Sequence, residues 1–272
     1  MLHRIRAAVR RLRGKRPSAK RDHPSGYQCG YLDCQDNGWF QSETGHLFTD
    51  FRIRREDTVV DVGCGDGGAS VFAASTGAEV IAVDIDAEMT KIAEKKLRKS
   101  RARTFRTVVS DSNPLPLPEE SASRVVAMEV MEHVDDPPQF LSELVRIGDP
   151  QALFLITVPD AVSERVQKGI APDCCWQKPH HIHIFERDEL DGLVHSAGLE
   201  IINRSHKSFF WAMWWTLFWA ADQELGEPEG SLLSSWAQTW HELMKLEKGQ
   251  KVRKTLDAFM PKSQVIVARK AA

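Results

Sequence analysis

From residue 57 onward the apolar positions follow two alternating periods. "TVVDVG" (58–63) is a short β-branched run that breaks into glycine. A helical stretch from about Gly67 to Thr76 follows and is stopped by Gly77. "EVIAVDI" is the next strand, and after it Met89, Ile92, Ala93 and Leu97 share one helical face. "TFRTVVS", the proline-punctuated loop "DSNPLPLPEES", "SRVVAMEV", a helix over about 137–147 and "ALFLITVP" complete the series. Strands alternating with helices predict an α/β fold, doubly wound around a mostly parallel sheet. A long loop over 160–186 precedes a helix carrying Leu190, Leu193, Val194 and Ala197, closed by Gly198, and then the strand "LEIINRS". Residues 207–262 interrupt the pattern with Trp-rich helical sequence before "SQVIVAR" supplies a last strand.

The N-terminal segment follows a different rule. Leu2, Ile5, Val9 and Leu12 recur at helical spacing, and nine Lys or Arg residues precede the first acid, Asp22. This pattern fits a basic amphipathic helix, a solvated tail or, as a third option, a mitochondrial transit peptide. "GKRPSAKRDHPSG" reads as a linker. The expected organisation is a tail and linker over 1–25, a catalytic domain over 26–206, a helical lid over 207–262 and the last strand of the sheet over 263–272.

Composition narrows the class. The 272 residues suffice for one α/β core with additions, and 42% hydrophobic with 27% charged residues is ordinary for a globular protein. A net charge of −2 argues against nucleic acid as the partner. Five cysteines (Cys29, Cys34, Cys64, Cys174, Cys175) show no disulfide-framework spacing, which points to a reducing compartment. The longest apolar run, 209–221, is too short to span a bilayer. The expected location is the cytoplasm, with peripheral attachment to the inner face of the membrane.

The chemistry starts at the glycine loop. Gly63-x-Gly65-x-x-Gly68 with Asp84 closing the next strand fits either an NAD site or an S-adenosylmethionine site. Three features favour the second. Asp61 sits inside the strand end, where a buried carboxylate needs cationic or N–H partners, and it would repel a pyrophosphate. Asp111 ends the third strand, placed to take an adenine amino group, and the fourth strand ends in "AMEVMEHVDDP".

Together these segments resemble the class I S-adenosylmethionine-dependent methyltransferases. "VVDVGCGDGG" is similar to that family's first motif, "VIAVDID" to its ribose-binding strand, "VVSDSNPLPLPEES" to its adenine segment and "VVAMEVMEHVDDP" to its fourth-strand motif. The resemblance covers about residues 57–204 plus the last strand. It implies a seven-stranded Rossmann-like sheet with a helical insertion before an antiparallel final strand. It also implies cofactor contacts from Asp61, Gly63, Cys64, Gly65, Asp84, Ile85, Asp111, Ser112 and Glu129.

Methyl transfer from a sulfonium requires mainly that the acceptor be positioned and its proton removed. "EVMEH" sets Glu129, Glu132 and His133 at i, i+3 and i+4, on one face of a helical turn. "KPHHIHIFERDEL" adds His180, His181 and His183. Carboxylates with imidazoles make a candidate Mg²⁺ or Mn²⁺ site that would hold and acidify a diol. The grouping resembles two methyltransferase branches, acting on ubiquinone precursors and on the terminal ribose of small RNAs. By that match Glu129, Glu132, His133 and His183 are the metal ligands, with His181 second choice to His183. Without a metal, His133 or His183 acts as general base, with Glu132 and His181 as the other catalytic candidates. Adjacent Cys174 and Cys175 lack zinc-ligand spacing and read as loop packing.

The lid candidate carries Phe209, Phe210, Trp211, Trp214, Trp215, Phe218 and Trp219 on one helix and Trp236 and Trp240 on the next. Helix-on-helix packing accounts for most of them, yet indoles also stack on sugars and lie at bilayer interfaces. The expected acceptor is a small molecule or lipid-linked glycan, with residues 1–22 as the contact to an anionic membrane surface. The leading expectation is O-methylation of a glycan, glycolipid or quinone-type precursor. The alternatives are small-RNA ribose 2′-O-methylation and a non-catalytic S-adenosylmethionine-binding module.

Overall fold

A computed structural model describes residues 24–224 and 226–271; the basic segment over 1–22 lies outside them. The described chain divides into two compact units, one made of Gly38–Val158, Phe185–Ser205 and the residues from Gln264, the other of 24–37, Pro159–Ile184 and His206–Ser263.

In the first unit, five short β-branched or apolar runs become parallel strands. β3 (Thr58–Val62) pairs with β4 (Glu79–Asp84) on one side and β6 (Ala122–Met128) on the other, so that Val60 faces Ile81 and Val125. β5 (Phe105–Val109) extends the sheet beyond β4, and β7 (Gly148–Pro159) extends it beyond β6. β8 (Leu199–Lys207) and β9 (Ser263–Lys270) complete a seven-stranded order β5-β4-β3-β6-β7-β9-β8. A small hairpin of β1 (His46–Phe48) and β2 (Phe51–Arg52), which hydrophobic periodicity did not announce, stands apart from that sheet.

The strand order reverses between β3 and β6. Crossovers from β3 run outward through β4 and those from β6 outward through β7, which leaves a crevice above their carboxyl ends. The sheet's faces are covered by α2 (Gly68–Ser75), α3 (Ala87–Leu97), α4 (Pro137–Ile147) and α6 (Arg187–Ser196). α3 starts because the Asp86 carboxylate accepts from the Glu88 and Met89 N–H groups at 2.8 and 3.4 Å. α4 starts at Asp136, whose carboxylate caps Gln139, with Pro137 preset at the first helical position. Val60, Val62, Ile81, Val83, Leu141 and Ile156 sit in the resulting core at 3% exposure or less.

The second unit is helical: α1 (Gly26–Asp36), α5 (Ala161–Lys168), α7 (Phe209–Ala220), α8 (Ser231–Lys245) and α9 (Gly249–Phe259). α5 corrects the expectation of an unstructured loop over 160–186. Asp160 caps it through the Val162 N–H at 3.1 Å, and its buried positions, Ala161, Ser163, Glu164 and Gln167, carry too little apolar area to show in a hydrophobic scan.

The aromatic run packs as the plain reading expects. Trp214 stacks on Phe218, with centroids 5.3 Å apart, and Phe210 stacks on Trp236 at 5.8 Å. Each indole N–H of Trp214, Trp236 and Trp240 is satisfied, by Glu229, by the Phe210 carbonyl and by Asp33 at 3.0–3.2 Å. Trp211, Trp215 and Trp219 remain half-buried.

Beneath these rings lies a polar knot. Asp33, Arg253 and Asp257 are each 5% exposed or less; Arg253 donates to the Asp36 carbonyl at 2.9 Å and Asp257 accepts from the Phe209 N–H at 2.7 Å. Burial, reinforced by Asp257 and opposed by Arg253, pushes the Asp33 carboxyl up to about 7. An unfolded aspartate titrates near 4. Between about 4 and about 7 the folded chain therefore holds a proton that the unfolded chain has released, and stability falls as pH rises through that window. The slope limit is ~1.4 kcal/mol per pH unit. Urea unfolding of Asp33→Asn between pH 4.5 and 7.5 will show a flatter pH dependence than the parent protein, and parallel curves would refute the assignment.

Candidate functional site

The carboxyl ends of β3, β4 and β6 bring together three acids and the glycine loop. Gly63 has φ +71°, and an added Cβ would lie 2.3 Å from the Val130 side chain, so both the backbone conformation and the space require glycine. The loop is then pinned from the neighbouring strand. Asp84, 2% exposed, accepts from the Gly65 N–H at 2.7 Å through Oδ2 and from the Asp86 N–H at 2.9 Å through Oδ1. The Cys64 N–H donates to the Val83 carbonyl at 2.9 Å. Ile85, directly after Asp84, is 70% exposed, an apolar wall beside the carboxylate.

Asp61 finds its partner inside the protein. The Ser70 hydroxyl, in the first turn of α2, donates to Asp61 Oδ2 at 2.5 Å. Burial raises the Asp61 carboxyl to about 6 against the lowering effect of Ser70. Ser70 was not singled out from the sequence. Its signal is only a small hydroxyl residue one helical turn after a glycine-rich loop.

At the end of β5, Asp111 Oδ1 accepts from the Asn113 N–H at 3.1 Å. Ser112 sits at φ +65° and is 7% exposed. Both follow β5, whose last residue, Val109, pairs with Asp84 of β4.

The "EVMEH" segment departs from expectation. Glu129, Glu132 and His133 do not share a face of an α-helix, because Glu129 has φ +56° and Met131–His133 is a single 3₁₀ turn. The Glu129 N–H goes to β7 instead, donating to the Thr157 carbonyl at 2.9 Å and to the Thr157 hydroxyl at 3.1 Å. The same hydroxyl donates to Glu129 Oε1 at 3.0 Å. Glu132 is 1% exposed, with Oε1 3.7 Å from His133 Nε2. Thr157 was also missed from the sequence, where it appears only as the one hydroxyl in the apolar run "ALFLITV".

The later histidines belong to the helical unit. His181 Nδ1 lies 2.7 Å from Glu164 Oε2, a carboxylate only 2% exposed, and its ring meets the Trp176 edge. That contact fixes the imidazole's orientation. His180 is buried, and burial lowers its pKa. His183 is half-buried. Glu129, Glu132 and His133 belong to the sheet unit and His183 to the helical unit.

Residues 60–156 match the family described as a methyltransferase domain. A probable S-adenosylmethionine-dependent methyltransferase of Mycolicibacterium smegmatis is 29% identical over 170 residues, 61% of this chain and 61% of that protein. A ubiquinone biosynthesis O-methyltransferase of Xanthomonas oryzae is 35% identical over 101 residues, 37% of this chain and 42% of the relative. The chain thus matches about three-fifths or less of the length of these relatives. Among solved structures, a putative methyltransferase of Haloferax volcanii aligns over 94% of this chain and 100% of its own with TM-score 0.56 at 17% identity. The [4+2]-cyclase SpnF aligns over 100% of this chain and 95% of its own with TM-score 0.59 at 15% identity. A fold of this kind therefore carries more than one chemistry. Residues 60–156, which match that methyltransferase-domain family, lie within a seven-stranded Rossmann-like sheet, and the chain is similar to S-adenosylmethionine-dependent methyltransferases.

Proposed function

We propose that the protein transfers the methyl group of S-adenosylmethionine to a hydroxyl of a glycan, glycolipid or quinone-type precursor. One observation carries the cofactor half: a buried carboxylate, Asp84, anchors the glycine loop at the point where strand order reverses, beside exposed Ile85. A carboxylate there serves ribose hydroxyls, Ile85 offers a face to the adenine, and Asp111 stands near its amino group. Calorimetry with S-adenosylhomocysteine will show at least ~10-fold weaker binding for Asp84→Ala, the scale of losing one hydrogen bond to a charged group. Unchanged affinity would remove the basis of this reading.

O-methylation is supported by the similarity to a ubiquinone biosynthesis O-methyltransferase. The glycan preference rests on half-buried Trp211, Trp215 and Trp219, whose faces suit sugar rings. We assign the acceptor's proton to His133, beside Glu132, or to His183, with His181 held by Glu164 as the further candidate. A divalent cation, for which Glu129, Glu132 and His133 are the candidate ligands in the sheet unit, is the other route to an acidified hydroxyl. Activity will survive dialysis against EDTA if an imidazole is the base; a loss restored by Mg²⁺ or Mn²⁺ would assign the metal route.

RNA ribose methylation is the second reading. In its favour, Lys95, Arg98, Lys99, Arg101, Arg103 and Arg106 are all exposed around edge strand β5, a basic surface that net charge concealed. Product labelling that nuclease removes would select it.

We further propose a cytoplasmic protein that binds anionic membrane surfaces through residues 1–22. Among the described residues no helix is long and apolar enough to cross a membrane. Flotation with anionic liposomes will carry the full chain and not a form lacking residues 1–22; equal behaviour of the two would end the proposal.

A further inference from the structure

We infer that the basic run over residues 95–106 is a docking surface for the phosphate backbone of RNA. The RNA ribose reading above draws on the same residues, but this inference concerns binding alone and holds whichever acceptor is methylated.

The stretch "KKLRKSRARTFR" holds seven Lys or Arg in 12 residues and no acid, in a chain whose net charge is −2. Like charges three and four residues apart repel, as Lys95 repels Arg98 and Lys99, so the clustering needs a cause. Part of the cause is local. Lys95 and Lys96 lie in the last turn of α3, where cations offset the carbonyl end of the helix. Lys96 pairs with Asp66 at 2.8 Å, Arg98 with Glu94 at 2.5 Å and Arg103 with Glu79 at 3.2 Å. Lys99, Arg101 and Arg106 stay exposed, and among the described residues no carboxylate pairs with them.

The surface continues across several elements. The Arg103 N–H donates to the Ala78 carbonyl at 3.1 Å, which ties the run to the amino end of β4. Exposed Arg55 joins it there: a Cβ on Gly77 would lie 3.4 Å from the Arg55 side chain and 3.9 Å from the Arg101 carbonyl oxygen. Arg106 carries the charge onto β5, the edge strand of the sheet. The crevice lies at the opposite end of that strand, where Val109 pairs with Asp84. At ~3.3 Å per strand residue, Arg103 stands roughly 20 Å from it. The basic surface is therefore separate from the crevice.

The partner follows from the side chains. Arg98, Arg101, Arg103 and Arg106 offer planar forks that take phosphodiester oxygens two at a time. Every exposed side chain in the run is polar, which leaves nothing apolar to enter a bilayer. Phe105, its one aromatic, is half-buried, so bases find no open ring to stack on. Contacts then go to the phosphates, and binding depends steeply on salt while carrying no sequence preference.

Fluorescence anisotropy of the full chain with a short labelled RNA duplex, in the absence of methyl donor, tests this. The triple variant Lys99→Gln, Arg101→Gln, Arg106→Gln will bind at least ~10-fold more weakly at low salt. Its slope of log affinity against log salt will be smaller by about 2, the change expected for three lost phosphate contacts. Parent and variant both carry residues 1–22, so the difference reports the run alone. Equal affinity and slope overturn the inference. So does a loss confined to phosphatidylglycerol vesicles, which assigns the surface to a membrane instead. Parent binding without nuclease-sensitive methyl label keeps the inference and sinks the ribose reading by itself. Should the triple variant not fold by circular dichroism, Arg106→Gln decides: a slope smaller by about 1 supports the inference, and an unchanged slope overturns it.

Discussion

The carboxylate of Asp84 holds the site together. At 2% exposure it accepts hydrogen bonds from two backbone N–H groups, one in the loop after β3 and one after its own strand. A buried carboxylate left without such partners costs several kcal/mol or neutralises itself. The glycine loop meets that need, and in doing so it is drawn against the end of β4. From this tie follow the tight path through Gly63, the entry of α2 at Gly68 and the exposure of Ile85 beside the crevice.

A second tie of similar logic lies across the crevice. β6 ends in Glu129, and β7 supplies Thr157 to satisfy both its N–H and its carboxylate. The two sides of the switch point are thereby built alike: a carboxylate at a strand end is pinned by the element next to it. Rigid acids around an opening between diverging crossovers suit a cationic, hydroxyl-rich ligand. They do not suit a pyrophosphate, which like charge would repel.

The helical unit obeys other physics. Its sequence is so rich in aromatic residues that burial alone does not fix one arrangement, and polar contacts supply the specificity. Trp240 reaches Asp33, Trp214 reaches Glu229 and Trp236 reaches a backbone carbonyl. The polar knot of Asp33, Arg253 and Asp257 beneath them trades stability for definition, because a desolvated carboxyl is held uncharged up to about neutral pH.

The sheet strands were legible because β-branched runs broken by glycine and proline leave few alternatives, and the strand ends at Asp61, Asp84 and Asp111 could be read directly from them. Helix α5 was not legible, since its buried face is built from Ser163, Glu164 and Gln167 and carries no hydrophobic period. The "EVMEH" segment misled for a related reason: its i, i+3, i+4 spacing is helical, but the Glu129 N–H found a partner on β7 that lies 28 residues away in sequence. The chain alone determined the class of fold, the glycine loop and the acids that end its strands, because those depend on local pattern. Tertiary structure decided which groups those acids hold, from Ser70 on Asp61 to Thr157 on Glu129, because hydrogen-bond partners are chosen by proximity in space and carry no local periodicity.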